Sequence, residues 1–582
     1  MGVSITVQKV TFSDGSSIDL NEGDLLIIVG PNNSGKSRAL KGIAAGIEGI
    51  DGSPVIQKVG VMKTGTASEL VEHYRKLGRT QQYSGAEQFL TKANAICSGL
   101  QLKHDWDSNT LKGCSRAIFY NLVTTEERLQ RCGPIVSIKY STMALTHPIH
   151  IVARDDSFEF KISNYFREAF GMDLVVHRFA GSEIPLFCGQ RPQPPQGKDR
   201  ASIEYCRAVE SMDPIHEQGD GIRAYVGIIL EVVTGMRPVV LLDEPEAFLH
   251  PPQARLLGRV IAQDAPPSTQ TMVATHSGDF LKGVLDAGSS RTRVVRLSRQ
   301  GNVNQVTELK AADIAELWRN PLLRYSNVLD GLFHEGVILC EADGDCLLYG
   351  ALLDEDQRNR EKKNRDLLFL HCGGKDRMPV VINALVRVGV PIATIVDFDI
   401  LNSESTLKRI VESYGGNWDV IRAKWKPVAH GINSKEAERS TEEVTREIAK
   451  ILEGIASTPT FPKAEAKKIA KICNRASSQW PHAKEQGLAF LKGQDYRNGA
   501  ELLNELAKLQ IHVVPVGELE CFFRAADVHG PNFVTGVLAD NMHQSQEAEP
   551  ARQFIRRVVD TLLPSSNSVS ATTAVQDSTL NS

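Results

Sequence analysis

The sequence predicts an α/β protein with two parallel-sheet domains, each interrupted by an insertion. Three observations carry this. LLIIVG, at 25–30, is a short apolar run suited to a buried strand, and it leads into GPNNSGKS and a helix-like SRALKGIAAGI. RPVVLLDEP (237–245) and TMVATHS (271–277) are two more buried-strand patterns, each ending in polar residues. After about residue 335, VILC, DLLFLHC, PVVINALVRVGV and IATIV give strand, strand, helix, strand, with a further helix after VILC, the alternation of a parallel sheet.

Composition sets the bounds. Of 582 residues, 42% are hydrophobic and 23% charged, as in ordinary globular proteins. Sixty-six Lys and Arg against 70 Asp and Glu leave a net charge of −4, which argues against a uniformly basic nucleic-acid binder and permits a local basic groove. The 10 cysteines form no CxxC pair, so a reduced, cytoplasmic setting is expected rather than a zinc knuckle. No apolar run is long enough to span a membrane, and no secretory signal pattern opens the sequence. MGVSIT fits the myristoylation pattern, but SITVQKVTF alternates as a first strand and nothing else points to a lipid anchor.

GPNNSGKS, at 30–37, fits GxxxxGKS. Gly30, Asn33, Ser34 and Gly35 form a loop whose backbone N–H groups can curl around phosphates at a helix N-terminus. Lys36 reaches the β- and γ-phosphates of ATP, and Ser37 ligates Mg²⁺. Asp243, ending the VVLL strand, holds the Mg²⁺ shell, and Glu244 polarises the attacking water. His276, ending another apolar strand, can hydrogen-bond the γ-phosphate.

GPNNSGKS, LLDEPEAFLHP and ATHS together resemble the ABC-type ATPase heads of SMC-like and OLD (overcoming lysogenisation defect) proteins. The resemblance implies that ATP is sandwiched between two heads, so that the chain forms a homodimer or higher homo-oligomer. Gly219, Gly221 and Arg223 resemble a degenerate signature motif that would meet the second nucleotide. The head is expected over 1–305, with an insertion lobe at about 60–215. In that lobe VEHYRKLGRTQQYSGAEQFLTKANAI reads as helices, PIHIVARDDSFEFKISNYFREAFGMDLVVHRF as strands, a helix and a strand, and RPQPPQGKDR as a loop. VVRLSRQGNVNQVTEL reads as a closing hairpin, and 306–334 as a linker with an amphipathic stretch.

In the second domain, 335–545, Glu341 ends the first strand, Asp345 opens the next helix, and Asp397 and Asp399 end the third strand. Ligands of parallel sheets gather at these carboxyl ends. Like charges there repel, and a hard cation, Mg²⁺ or Mn²⁺, relieves the repulsion with oxygen ligands. The arrangement resembles a TOPRIM domain, and with the head the whole chain is similar to OLD-family nucleases, a group that includes the Gabija A protein and nucleases encoded beside retrons. By that resemblance Glu341, Asp345, Asp397 and Asp399 are metal ligands, and Glu341, Asp397 and Asp399 are also the catalytic acid-base residues. In VGELECFF, Glu518 and Glu520 are candidates, with Glu520 the expected ligand. The family carries a catalytic lysine beyond this point, whereas no lysine follows Lys508 here. Lys375, Arg552, Arg556 or Arg557 are the candidates to replace it.

A helical insertion is expected at about 402–500, and a C-terminal helix with a disordered tail at 546–582. Lys463, Lys467, Lys471 and Arg475 share one helix face. That stripe, with Trp418, Trp425 and Trp480, reads either as a DNA track with stacking bases or as a solvated face with core tryptophans. The resemblance implies an ATP-regulated, metal-dependent endonuclease in anti-phage defence, acting on DNA or RNA, with a helicase or retron reverse transcriptase as a candidate partner. The rival reading is an ATP-driven nucleic-acid clamp with a silent TOPRIM domain.

Overall fold

A computed structural model describes residues 2–564 apart from 77–79, 84–85, 91–95, 109–110, 112–118, 142, 144, 301–302, 310–317, 322–326, 359–363, 435–439, 456–459, 478 and 524–531. The chain divides into two compact units, Met1–Arg324 and Tyr325–Ser582. That boundary falls inside the predicted linker, part of which lies outside the described residues, as does the end of the chain from 565 on.

The first unit is built on a six-stranded sheet. Its order is Val303–Leu309, Thr292–Gln300, Leu25–Val29, Gln270–Ala274, Val239–Asp243 and Tyr120–Val123. All neighbours are parallel except the terminal hairpin pair, Thr292–Gln300 with Val303–Leu309. Leu25–Val29 and Val239–Asp243 are almost wholly buried, which is why they read as unbroken apolar runs. The predicted first strand, Ser4–Phe12, pairs instead with Ser17–Asp19 and Ile56–Thr64 in a separate antiparallel sheet. One core joins both sheets and the helix Lys36–Ile47, through residues such as Val10, Phe12, Leu26, Ile28, Leu40, Ile43 and Leu241.

The lobe departs from expectation in two places. After the helix Ala67–Lys76, the stretch read as helical forms an antiparallel sheet of Thr80–Tyr83, Ala86–Leu90 and Ile96–Ser98. Thr, Tyr and Phe favour strands, and Ser84-Gly85 is a turn dipeptide whose signal outweighs the helix formers around it. PIHIVAR, read as a strand, is the helix Pro148–Arg154, with proline in its first turn where the missing N–H costs nothing. A second helix, Asp156–Phe170, buries Glu159, which accepts hydrogen bonds from Arg178, Arg191 and Arg200.

The second unit holds a four-stranded parallel sheet in the order Leu367–His371, Gly336–Cys340, Ile392–Val396, Ile511–Val513. The helix Glu549–Leu562 lays Ala551, Phe554, Ile555, Val558 and Leu562 against its core. The insertion between the third and fourth strands is helical: Glu404–Ser413, Trp418–Asn433, Thr441–Ile455, Lys463–Ser477, Trp480–Gln486 and Gly493–Lys508. Trp418 and Trp480 are buried, and Trp425 donates to the Leu401 carbonyl at 2.8 Å, so the core reading of the tryptophans prevails over base stacking. Lys463 and Lys467 are exposed, while the side chains of Lys471 and Arg475 lie outside the described residues. Among the described residues, no helix is long and apolar enough to cross a membrane.

His512, inside the fourth strand, is buried with no hydrogen-bond partner on Nε2. Burial, with Arg557 nearby, pushes its pKa down to about 4. The unfolded chain therefore binds this proton first as pH falls, so the stability contribution is intact above pH about 6.5 and is lost progressively toward pH 4. In His512→Gln the loss of melting temperature between pH 6.5 and 4 should be shallower than in wild type by calorimetry; equal slopes would contradict this.

Candidate functional site

In the first unit, the loop after Leu25–Val29 turns sharply into the helix at Lys36. Gly30 has φ 147, and a Cβ there would lie 2.1 Å from the Leu297 carbonyl, so only glycine fits. Asn33 and Gly35 are also left-handed, at φ 62 and 98. Asn304, from the hairpin strand, donates to the Ser34 carbonyl at 2.5 Å and fixes the loop from below. Lys36 is buried and its ammonium donates to the carbonyls of Gly30 (2.8 Å) and Pro31 (3.0 Å). Burial pushes its pKa down, while Glu244, Glu246 and Asp243 hold it up.

The Asp243 carboxyl, beside Ser37, is pushed up mainly by burial and further by Glu244. Asp243 Oδ1 is buried with no hydrogen-bond partner, an oxygen free to meet a cation. Glu244 stands at φ 48, a strained conformation for a residue with a side chain. Arg128, buried on a lobe helix, donates to the carbonyls of Asp243 (3.2 Å) and Glu244 (2.6 Å) and holds that turn. His276 Nδ1 lies 3.4 Å from Glu244 Oε1 and 3.3 Å from Glu246 Oε1. Gly219 caps the helix Asp220–Val233; Gly221 packs where a Cβ would lie 2.7 Å from the Phe248 carbonyl. Arg223, in the same first turn, pairs with Asp220 and donates to the Leu129 carbonyl.

In the second unit the predicted carboxylates gather at the carboxyl ends of the strands. The Glu341 carboxylate, close to the Asp397 backbone, has its pKa raised by burial and by Asp399. Asp345 accepts the Ala342 N–H at 3.0 Å and is pushed up by burial and by Glu520. Burial, with Glu341 and Asp345 adding, drives Asp397 up to about 7 against the pull of Lys484. Glu341 Oε1 and Asp399 Oδ1 are buried without hydrogen-bond partners, so the donor set fits a divalent ion. As the side chains stand, no three His, Cys, Asp or Glu among the described residues close on one point; ammonium groups bridge the acids instead.

Those ammonium groups come from two places. Lys375 donates to Asp399 Oδ2 at 3.1 Å. Lys484, absent from the candidates, lies 3.1 Å from Asp397 Oδ2 and 3.2 Å from Glu518 Oε2. Arg552 and Arg556 are occupied elsewhere: Arg552 donates to the carbonyls of His543 and Ser545, and Arg556 pairs with Asp356. They hold the C-terminal helix, which corrects their candidacy. Lys484 reaches the acids because its helix docks on the last-strand turn. Leu488 N–H donates to the Pro515 carbonyl at 2.8 Å, and Gly517, at φ 116, leaves room where a Cβ would sit 1.9 Å from the Lys484 carbonyl.

Two family profiles match these regions. "AAA domain, putative AbiEii toxin, Type IV TA system" matches residues 214–281, spanning the Gly219–Arg223 helix, Asp243 and His276. "Overcoming lysogenization defect protein-like, TOPRIM domain" matches 332–399, from before Glu341 to Asp399. The chain pairs an ATPase domain with an OLD-like TOPRIM domain. Among solved structures it is similar to an SMC head bound to the C-winged helix domain of ScpA, at 14% identity and TM-score 0.29 over 53% of this chain and 97% of that one. It is also similar to the SMC head domain from Thermotoga maritima, at 15% identity and TM-score 0.27 over 53% of this chain and 100% of that one. A third is the Pyrococcus furiosus Smc head with an extended coiled coil bound to the C-terminal domain of ScpA, at 11% and 0.29 over 54% and 100%. No curated protein matches the chain. Three residues of the two sites escape sequence reasoning: Arg128, Glu246 and Lys484. Only Glu246 left a trace, as the third acid of LLDEPE.

Proposed function

We propose that this chain is an ATP-regulated, divalent-metal-dependent DNA endonuclease of the OLD kind, acting in bacterial defence against phage. The observation that carries the reading is the half-buried acid set Glu341, Asp345, Asp397 and Asp399, with two orphaned oxygens and a lysine touching Asp397. Glu341, Asp345, Asp397, Asp399 and Glu520 would hold Mg²⁺ or Mn²⁺. When bound, such ions supply the positive charge that activates water and steadies the leaving 3′-oxygen. Lys484 places a further positive charge beside Asp397, where a phosphate entering the site accumulates negative charge. In the head, Gly30–Ser37, Asp243 and His276 hold ATP with Mg²⁺, Glu244 orients water, and Gly221 and Arg223 face the second head of a homodimer. A helicase or a retron reverse transcriptase is the kind of partner this reading admits.

Supercoiled plasmid incubated with the chain and Mg²⁺ or Mn²⁺ should be nicked or linearised, and EDTA should stop it. Lys484→Met should lower the rate about a hundredfold, with Lys484→Arg recovering part of it. An inert wild-type chain at every metal concentration would refute the nuclease. The lysine bridges favour one rival, a clamp whose TOPRIM domain is silent because its acids are already neutralised. A clamp would retain DNA on ATP addition yet leave it uncut.

A further inference from the structure

We propose that Glu246 is a positioning residue for ATP hydrolysis in the head, fixing the His276 ring so that Nε2 faces the terminal phosphate. The proposal rests on reading the head as an ATP hydrolase and is independent of the nuclease. Glu246 lies three residues beyond Asp243, and the strained turn at Glu244, tied by Arg128, precedes it. It is only 6% exposed. A carboxylate so buried is costly unless hydrogen-bonded. Its Oε1 accepts hydrogen bonds from the Thr275 hydroxyl at 2.8 Å and the His276 backbone N–H at 2.9 Å, and it lies 3.3 Å from His276 Nδ1.

The chemistry of those contacts decides the ring's orientation. Carboxylate oxygens accept and do not donate, and Nδ1 faces two of them, Glu246 Oε1 and Glu244 Oε1 at 3.4 Å. A hydrogen on Nδ1 is the arrangement those two oxygens favour. The other nitrogen, Nε2, is on the opposite edge of the ring. Glu244 is half-exposed and could swing away when it engages water, whereas Glu246 is locked by Thr275 and the backbone. The ring's fixed partner is thus Glu246. The charges surrounding the pair are Glu244 and Asp243 on the acidic turn, Lys36 on the phosphate loop and Arg128 on the lobe helix. Removing a partner that orients a functional histidine costs about 10- to 100-fold in well-studied sites.

A double-mutant cycle on the full chain tests this. ATP hydrolysis is measured at saturating ATP and Mg²⁺, with ATP affinity by equilibrium binding and folding by thermal melting. Glu246→Gln should lower kcat about 10- to 100-fold and leave ATP affinity within about threefold. In the His276→Ala background Glu246→Gln should add no further loss, because its effect passes through the ring. If Glu246→Gln does not fold, Thr275→Val, which removes only the hydroxyl contact, should give a smaller kcat loss that also vanishes beside His276→Ala. Losses that multiply in either double variant would make Glu246 a structural tie and overturn the proposal, as would a wild-type rate in Glu246→Gln. A wild-type chain that binds ATP and does not turn it over would overturn the hydrolase reading and this assignment with it, leaving the plasmid assay unaffected.

Discussion

Asp397→Asn should abolish metal-dependent DNA cleavage, with a loss of about a thousandfold or more at pH 8. The residue sits where burial, Glu341 and Asp345 all press on one carboxylate, which titrates at about 7. Above that pH it is ionised and available to a cation. Asparagine keeps the shape and loses the charge. The charge stabilisation a bound ion provides is several kcal/mol, and each 1.36 kcal/mol is tenfold in rate. The check is the nicking rate of supercoiled plasmid across a metal titration. In the same preparations the metal-free variant should melt no lower than wild type at pH 8, since an ionised carboxylate with a raised pKa opposes folding there. Cleavage persisting within about tenfold of wild type would remove Asp397 from the site.

Lys36→Ala should reduce ATP turnover about a hundredfold or more and erase any response of DNA cleavage to ATP. The lysine is parked on the carbonyls of Gly30 and Pro31, at the centre of a loop whose backbone already has the shape for phosphates. Its charge also interacts with the Glu244, Glu246 and Asp243 carboxylates, so its loss leaves a field that repels an anionic nucleotide. The measurement is phosphate release, followed by the plasmid assay with and without ATP. Unchanged ATP dependence of cleavage in Lys36→Ala would dissociate the two domains functionally.

What could be read directly was chemistry written in consecutive residues. GPNNSGKS, VVLLDE and IATIVDFD each place a buried strand and its polar terminus within one stretch, so both element and site follow from the local pattern. The residues that escaped reach their targets across the fold. Arg128 meets Asp243 from 115 positions away, and Lys484 meets Asp397 from a polar helix that looks like any solvated one. Glu246 was in view, but its inward direction depends on the φ 48 turn before it, which no periodicity encodes. The 80–98 sheet was missed because its strands are three to five residues long and its helix-forming Ala, Glu, Gln and Lys mask the turn signals.

The seam at Gly517 divides the long excursion between the third and fourth strands into two parts with different tolerance to change. Its outer hairpin, Thr441–Ile455 and Lys463–Ser477, buries none of the first helix's residues and can drift in length and composition. Its returning segment, Trp480–Gln486, is pinned backbone to backbone and carries the ammonium that meets Asp397. A lineage built on this scaffold is thus free to remodel the periphery while the acid cluster keeps one inherited anchor.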